Sequence, residues 1–333
     1  MTEHLTYRPE VNELSWTFGG AAPVRTIRPG TIVELWTEDA FGHRIRTKDD
    51  RLDTSEHGLL LNPQTGPFRV EGAEPGDTLA IHFVSIEPAR DWGASATIPF
   101  FGSLTSTPLT ATLQPPLEER VWIYEIDRES RTIALQDAPE ALATPLPLDP
   151  MHGTVGVAPT GFEARSSLVP GDFGGNMDTP EMRVGTTCFL GVNVEGALFS
   201  LGDGHLRQGE GETCGVAVEA AMNTTIAVDL VKGMPTPWPR LETDDHLMSV
   251  GSARPLEDAF RIAHTDMVRW ISELLDVDLL DAYQLVTQIA ESPIANVCDP
   301  NYSVVCKMPR RFMPRVSAYR DTHAQLRALA RGQ

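Results

Sequence analysis

The run Pro75-Gly76-Asp77-Thr78-Leu79-Ala80-Ile81-His82-Phe83-Val84 decides the reading of the fold. Pro-Gly-Asp is turn chemistry, because Pro presets φ, Gly tolerates positive φ and the Asp side chain bonds its own backbone. The seven residues after it alternate apolar with polar or small side chains, the period of a strand. The same grammar recurs on both sides. Residues 22–48 read as strands, with β-branched and aromatic residues dominating Thr31-Ile32-Val33-Glu34-Leu35-Trp36-Thr37. Residues 66–87 read likewise. Val121–Ile126 is a strand with Arg131–Leu135 as its hairpin partner, and Pro-rich residues 137–150 form an exposed connection. Gly153–Ala158, Thr186–Val194 and Thr224–Val231 are further strands. The 26 Pro and 27 Gly are dispersed rather than gathered into a linker, which suits many short strands.

The pattern changes near residue 254. Pro255 occupies a first helical position, Glu257 and Asp258 the first turn. Phe260, Ala263, Met267, Trp270, Ile271 and Leu274 then recur at three and four. A second helix is expected over 279–290, two short strands at 295–298 and 303–306 around Asp299-Pro300-Asn301, and a last helix over 320–329. The expected fold is mainly β, a composite of sandwich or barrel with a small α+β C-terminal part. Its sections are 1–150, 151–253 and 254–333, read as one composite unit.

With 333 residues the chain can bury a substantial core, and 41% hydrophobic with 22% charged residues is globular composition. The formal charge of −19 repels phosphate backbones and anionic membranes, which argues against nucleic-acid or membrane partners and leaves neutral or cationic small ligands. The same acidity also serves solubility alone. Cys188, Cys214, Cys298 and Cys306 are too few for a disulfide scaffold. MTEHLTYRPE lacks the basic and apolar regions of a secretory signal, and no apolar run approaches a bilayer span. A cytoplasmic location is therefore expected.

Chemistry concentrates between Asp172 and Glu219. Gly171-Asp172-Phe173-Gly174-Gly175-Asn176-Met177-Asp178 is followed by Gly202-Asp203-Gly204-His205, by Gln208-Gly209-Glu210-Gly211-Glu212 and by Glu219. Glycine lets the backbone approach a ligand closely, and Asp, Glu and His are ligands for Zn²⁺, Mn²⁺ or Mg²⁺. Asp203 and His205 share a face if they lie on a strand, and converge on one ion if they lie in a turn. The alternative is a solvated Asp-Gly loop with no ligand. Nucleophile-elbow, P-loop, HExxH and dinucleotide signatures are missing. Of the isolated histidines, His57 and His82 read as packed or surface residues, with His57, at a loop start, the better placed to approach the site, and His152, at a strand start, could line the pocket. Trp238, between Pro237 and Pro239, reads as a core-packed loop residue.

Four strings, in this order, resemble the acetamidase/formamidase family: NPQTGPFRVEGAEPGD from Asn62, GDFGGNMD from Gly171, VEGALFSLGDGHLRQGEGE from Val194 and VCDPNYSVVCKMP from Val297. The resemblance spans about residues 30–310. It implies hydrolysis of short linear amides to a carboxylate and ammonia, a mainly β composite fold, divalent metal binding and homo-oligomers. Its polar positions fall on Asn176, Asp178, Asp203, His205, Gln208, Glu210, Glu212 and Glu219, with Asp39 matching an acidic position nearer the N-terminus. Many relatives carry His where this chain has Phe173, which leaves open whether Asp172 substitutes for it.

Amide hydrolysis needs a strong nucleophile, a stabilised oxyanion and a proton for nitrogen. The expected assignment gives the metal to Asp178, Asp203 and His205, with Glu219 as an alternative ligand. Proton transfer goes to Glu210 or Glu219, and the oxyanion to Gly174 and Gly175 backbone amides or to Asn176. Zn²⁺ is the expected ion, with Ca²⁺ or Mn²⁺ as alternatives. A competing mechanism makes Cys214 the nucleophile, against the common reading of a free Cys as an inert core residue. Two further functions stay open: a lactam or carbamate hydrolase of the same family, and a non-catalytic, metal-stabilised ligand-binding β protein.

Overall fold

A computed structural model describes residues 3–52, 60–105 and 115–332; His57 lies outside them. The fold is mostly β. A nine-stranded sheet runs in the order Glu3–Tyr7, Thr31–Thr37, Met222–Val231, Thr78–Pro88, Thr187–Gly191, Arg240–Glu242, His246–Ala253, Tyr302–Pro309, Ile294–Asn296. It is antiparallel apart from its first pair. It takes strands from near both ends of the chain and from the middle. A five-stranded sheet follows the order Gly174–Asn176, Met151–Gly156, Phe199–His205, Gln64–Val70, Arg25–Ile27, and a four-stranded one holds Trp92–Thr97 beside Arg120–Asp127.

The strand Thr78–Pro88 shows what its alternation encodes. It is central and buried on both faces for its first six residues, not half-solvated. Leu79, Ile81 and Phe83 join a core with Phe68, Leu190 and Phe199, while Ala80 faces Phe189, Met267 and Trp270. Large and small therefore replace in and out, because helices cover the small-residue face. Each buried Leu, Ile or Phe contributes about 1.5–3 kcal/mol of transfer free energy.

Three α-helices lie among the described residues: α1, Leu256–Leu275; α2, Leu279–Ile289; and α3, Thr322–Ala330. The buried stripe of α1 is Ala259, Ala263, Met267, Trp270 and Ile271. Phe260 falls outside it, 45% exposed and stacked on His264. Pro255 is the residue before α1 rather than its first helical residue, and α1 stops at Asp276 in a left-handed conformation. Asp278 caps α2 through the Leu280 N–H at 2.8 Å. The expected strand over 22–48 is confined to Arg25–Ile27 and Thr31–Thr37; residues 38–48 form a loop. No helix among the described residues is long and apolar enough to cross a membrane.

Candidate metal centre and pocket

The strand Phe199–His205 places Asp203 and His205 two residues apart. Glu219 joins them by backbone pairing, bridging to His205 on one side and to Ala94 on the other. Side chains paired in this way point to one face. His205 Nε2 lies 3.4 Å from Asp203 Oδ1 and 3.3 Å from Glu219 Oε2. Asp178 arrives from the turn after Gly174–Asn176, its N–H donated to Gly153 O at 3.0 Å. Glu212 and Asp299 are buried beside the same group, and Glu212 accepts from the Cys298 thiol at 3.5 Å.

The cluster fits a cation. Asp178, Asp203, Glu212, Glu219 and Asp299 are all buried, and among the described residues none of these carboxylates pairs with Lys or Arg. Among the described residues, both oxygens of Asp178 and Oε2 of Glu219 have no hydrogen-bond partner. Buried carboxylates without partners are costly unless protonated or bound to a metal. The His205 ring orientation agrees. Gln208 Nε2 donates to Asp178 O at 2.6 Å and Ala295 O at 3.1 Å, which turns its Oε1 toward His205 Nδ1 at 3.0 Å. Nδ1–H is thus the donor, and Nε2 faces Asp203 and Glu219, the usual outer support of a metal-binding imidazole. Two ligand atoms each about 2.0–2.1 Å from one tetrahedral ion stand about 3.3–3.4 Å apart, the separation of His205 Nε2 from Asp203 and from Glu219. Asp178, His205 and Glu212 also bring one candidate atom each within 4.8 Å of one another.

The backbone is arranged to permit this. A Cβ at Gly153 would collide with Asp178 Oδ1 and Asp203 Oδ2, so only glycine leaves room for the carboxylates. Asp178, Asp203 and Glu212 all hold positive φ, at 45°, 58° and 42°. Such conformations cost of order 1–3 kcal/mol each and collect at functional sites.

Electrostatics follow from burial. Burial, then the charges of Asp299 and Asp203, raises the Asp178 carboxyl well above the ordinary range. Burial also raises Asp299 and Glu212, the latter helped by the charge of Asp178. Glu219 is pushed up to about 7 by burial, against the attraction of His205. Burial opposes the imidazolium of His205, but Glu219 and Asp203 outweigh it and raise that group well above its usual value. Asp203 is held low despite burial by His205 and by hydrogen bonds that include Thr154.

A pocket of about 50 Å³ opens beside the cluster. One water occupies about 10–15 Å³ in this measure, so the space holds about three to five water-sized groups. Asn62, Asn176, Asp203, Glu212, Glu219 and Asp299 form its polar lining. Asn176 Nδ2 donates to Asp299 Oδ2 at 2.8 Å, while its Oδ1 accepts from Thr154 and from Asn62, the latter at 2.6 Å. A larger groove of about 560 Å³ between α1 and α2, with Val268, Leu280 and Tyr283 in its wall, has no carboxylate in its lining.

The structure brings together Asn176, Asp178, Asp203, His205 and Glu219, with Gln208 and Glu212. Other expected residues lie elsewhere. Glu210 is exposed, with Glu181 and Lys307 as its charged neighbours; Glu212 occupies the buried position instead. Gly174 and Gly175 do not line the pocket: the Gly174 N–H is donated to Gly171 O, and both pack tightly on neighbouring backbone. Asp172 is exposed, and Phe173 lies in the core 5.5 Å from Phe18. Cys214 is exposed and donates to Val216 O at 3.1 Å. His152 is buried between Gly202 O and Thr224 Oγ1, each at 2.8 Å, and His82 bonds Thr187. Trp238 is partly buried, away from the pocket. Asp39 accepts from the Phe41 and His43 N–H groups at 3.0 Å and pairs with Arg90 at 2.7 Å. It shapes the loop carrying Ala40 and Phe41 to the pocket, and Arg90 fills the place a cation would take between Glu38 and Asp39. Gly153, Asn62, Thr154 and Asp299 were not foreseen as site residues. Asp299 stood in one of the four family-like strings, read there as a turn.

Comparison with known proteins agrees with this architecture. The chain matches the Acetamidase/Formamidase family over residues 20–162 and 95–255. It is 27% identical to an acetamidase of Mycolicibacterium smegmatis over 62% of this chain and 63% of that protein. It is 28% identical to a putative formamidase of Schizosaccharomyces pombe, over 62% and 61%. The matched region thus spans somewhat under two thirds of these curated relatives. The crystal structure of an acetamidase from Yersinia enterocolitica superposes with a TM-score of 0.87 at 39% identity, covering 94% of this chain and 93% of that one. An acetamidase from Bacillus halodurans gives 0.82 at 27%, covering 95% and 100%. On these matches the chain belongs to the acetamidase/formamidase family.

Proposed function

We propose that the chain hydrolyses the C–N bond of short linear amides, releasing a carboxylate and ammonia. The observation that carries this is the triplet Asp203, His205 and Glu219, with His205 Nε2 3.4 Å and 3.3 Å from the two carboxylates, at a pocket sized for a few heavy atoms. The names of the relatives support the same reading. These three residues, with Asp178 beside them, would hold a divalent ion, and the His-carboxylate set suits Zn²⁺. Bound there, the ion supplies Lewis acidity, polarising the amide carbonyl and making water nucleophilic near neutral pH.

The side chains do the rest. An amide NH₂ has two donors. Asn176 spends one on Asp299, so the other can bind the substrate oxygen. Glu212 takes the general-base role for which the sequence offers Glu210 or Glu219. It accepts a proton as water adds to the carbonyl carbon and returns it to nitrogen as the C–N bond breaks. Burial raises its proton affinity, which favours holding the proton once it is taken from water. Gln208 fixes the His205 ring, and the apolar remainder of the pocket excludes bulk water.

The test is ammonia release from formamide and acetamide, before and after chelation, with metal content measured on the same sample. The expected result is turnover lost on chelation and restored by one ion. Full turnover from demetallated protein would overturn the metal assignment, and no turnover on either amide with metal bound would overturn the substrate.

A further inference from the structure

Two kinds of side chain line the pocket. If the amide group binds among Asn62, Asn176, Asp203, Glu212, Glu219 and Asp299, the remaining lining must receive the acyl chain, and that lining is apolar, with Phe41, Leu61, Ile98, Phe101, Leu168 and Val216 as its larger side chains. Phe41, Leu61, Ile98 and Val216 are buried members of one small core, so their positions are set by packing that extends beyond the pocket. Phe101 and Leu168 differ, being partly buried and packed against that core from outside.

Phe101 is held from behind. Gly215 has φ +91°, and a Cβ there would meet Phe101 Cδ1 at 2.6 Å and Cε1 at 2.7 Å, so the ring rests on bare backbone. The loop carrying the ring is tied down twice. Phe101 N–H donates to Ile98 O at 3.0 Å, and Ser103 donates to Thr213 O through N–H at 2.9 Å and Oγ at 2.8 Å. The ring can retreat neither into Gly215 nor along its own loop.

We propose that Phe101, seated on Gly215, sets the length of acyl chain the site accepts, limiting it to about one or two carbons. This rests on the amide-hydrolase reading and adds its specificity-determining residue. A pocket built for small apolar groups discriminates by about tenfold or more per added methylene. Cutting back a partly exposed ring opens the pocket toward solvent instead of hollowing the core, so the fold should persist.

The experiment compares kcat/KM for formamide, acetamide, propionamide and butyramide in wild type, Phe101→Leu and Phe101→Ala. The butyramide-to-acetamide ratio should rise about tenfold or more in Phe101→Ala, with Phe101→Leu between. A ratio within about twofold of wild type in either variant that still cleaves acetamide overturns the proposal. Amide binding followed by saturation-transfer NMR reads the same preference without turnover. If wild type binds amides but cleaves none, the hydrolase reading falls, and the bound butyramide-to-acetamide ratio still decides the role of Phe101. If it binds none, both fall.

Discussion

Two buried charged groups in this molecule are solved in opposite ways. Beneath α1, Arg240 meets Asp266 through two nitrogens at 2.8 Å, Ser249 Oγ donates to Asp266 at 2.7 Å, and Tyr319 and the Trp270 ring complete the surroundings of the guanidinium. Every charge there has its counter-charge within the chain. At the candidate metal centre five carboxylates gather around one imidazole, and three of their oxygens lack a partner among the described residues. Burial is similar in the two places, so depth alone does not separate a structural ion pair from a functional one. What separates them is closure, since one group is complete in itself and the other leaves carboxylate oxygens without a partner among the described residues.

The contrast breaks most sharply at His205. His205→Ala should lower amide turnover by about 10⁴-fold, about 5 kcal/mol of barrier, and remove bound metal while circular dichroism stays native. Retained metal stoichiometry in that variant would remove His205 from the ligand set. Next is Arg240→Met, which strands Asp266. Denaturant unfolding should show a loss of about 3–5 kcal/mol, with metal content unchanged in the fraction that folds. A loss under 1 kcal/mol would mean the pair is not closed as described.

The smallest effect sharpens the comparison through pH. Glu219 is raised to about 7 in the folded state, against 4.5 as its ordinary value. A raised group gives stability that is full below the unfolded value and lost as pH rises through the folded one. His82 and His152, both lowered to about 4 by burial, act the other way, adding stability until the unfolded imidazoles, with their ordinary value of 6.5, have lost their protons, and they do so equally in chelated and metal-loaded protein. Between pH 6.5 and 8 chelated protein should therefore lose about 1 kcal/mol relative to metal-loaded protein through Glu219. Parallel thermal-shift profiles for the two forms would sink this.

The β framework was legible because turn chemistry and period two are local signals; Thr31–Thr37 and the Val121–Leu135 hairpin needed nothing more. The helical faces were legible for the same reason, Phe260 excepted, since a residue at the edge of a stripe can turn outward onto His264. Within the site, Asp203 and His205 were readable because spacing along a strand determines a shared face. Glu210 and Glu212 were not separable, because a loop has no period to say which is buried. Gly174 and Gly175 looked like ligand-approaching glycines but serve close backbone packing, which calls for the same residue. Asn62 and Asp299 reach Asn176 across 114 and 123 residues, and no local pattern reports such contacts.

The left-handed backbone at Asp178, Asp203 and Glu212 has an evolutionary consequence. Glycine and asparagine relieve that conformation and carry no charge, so at these three positions the replacement that best suits the fold also dismantles the centre. Under the proposed function, selection on chemistry opposes a thermodynamic drift at these three positions. In a descendant released from the reaction, Gly or Asn at 178, 203 or 212 would be the earliest molecular trace of the lost activity, appearing before any erosion of the sheets.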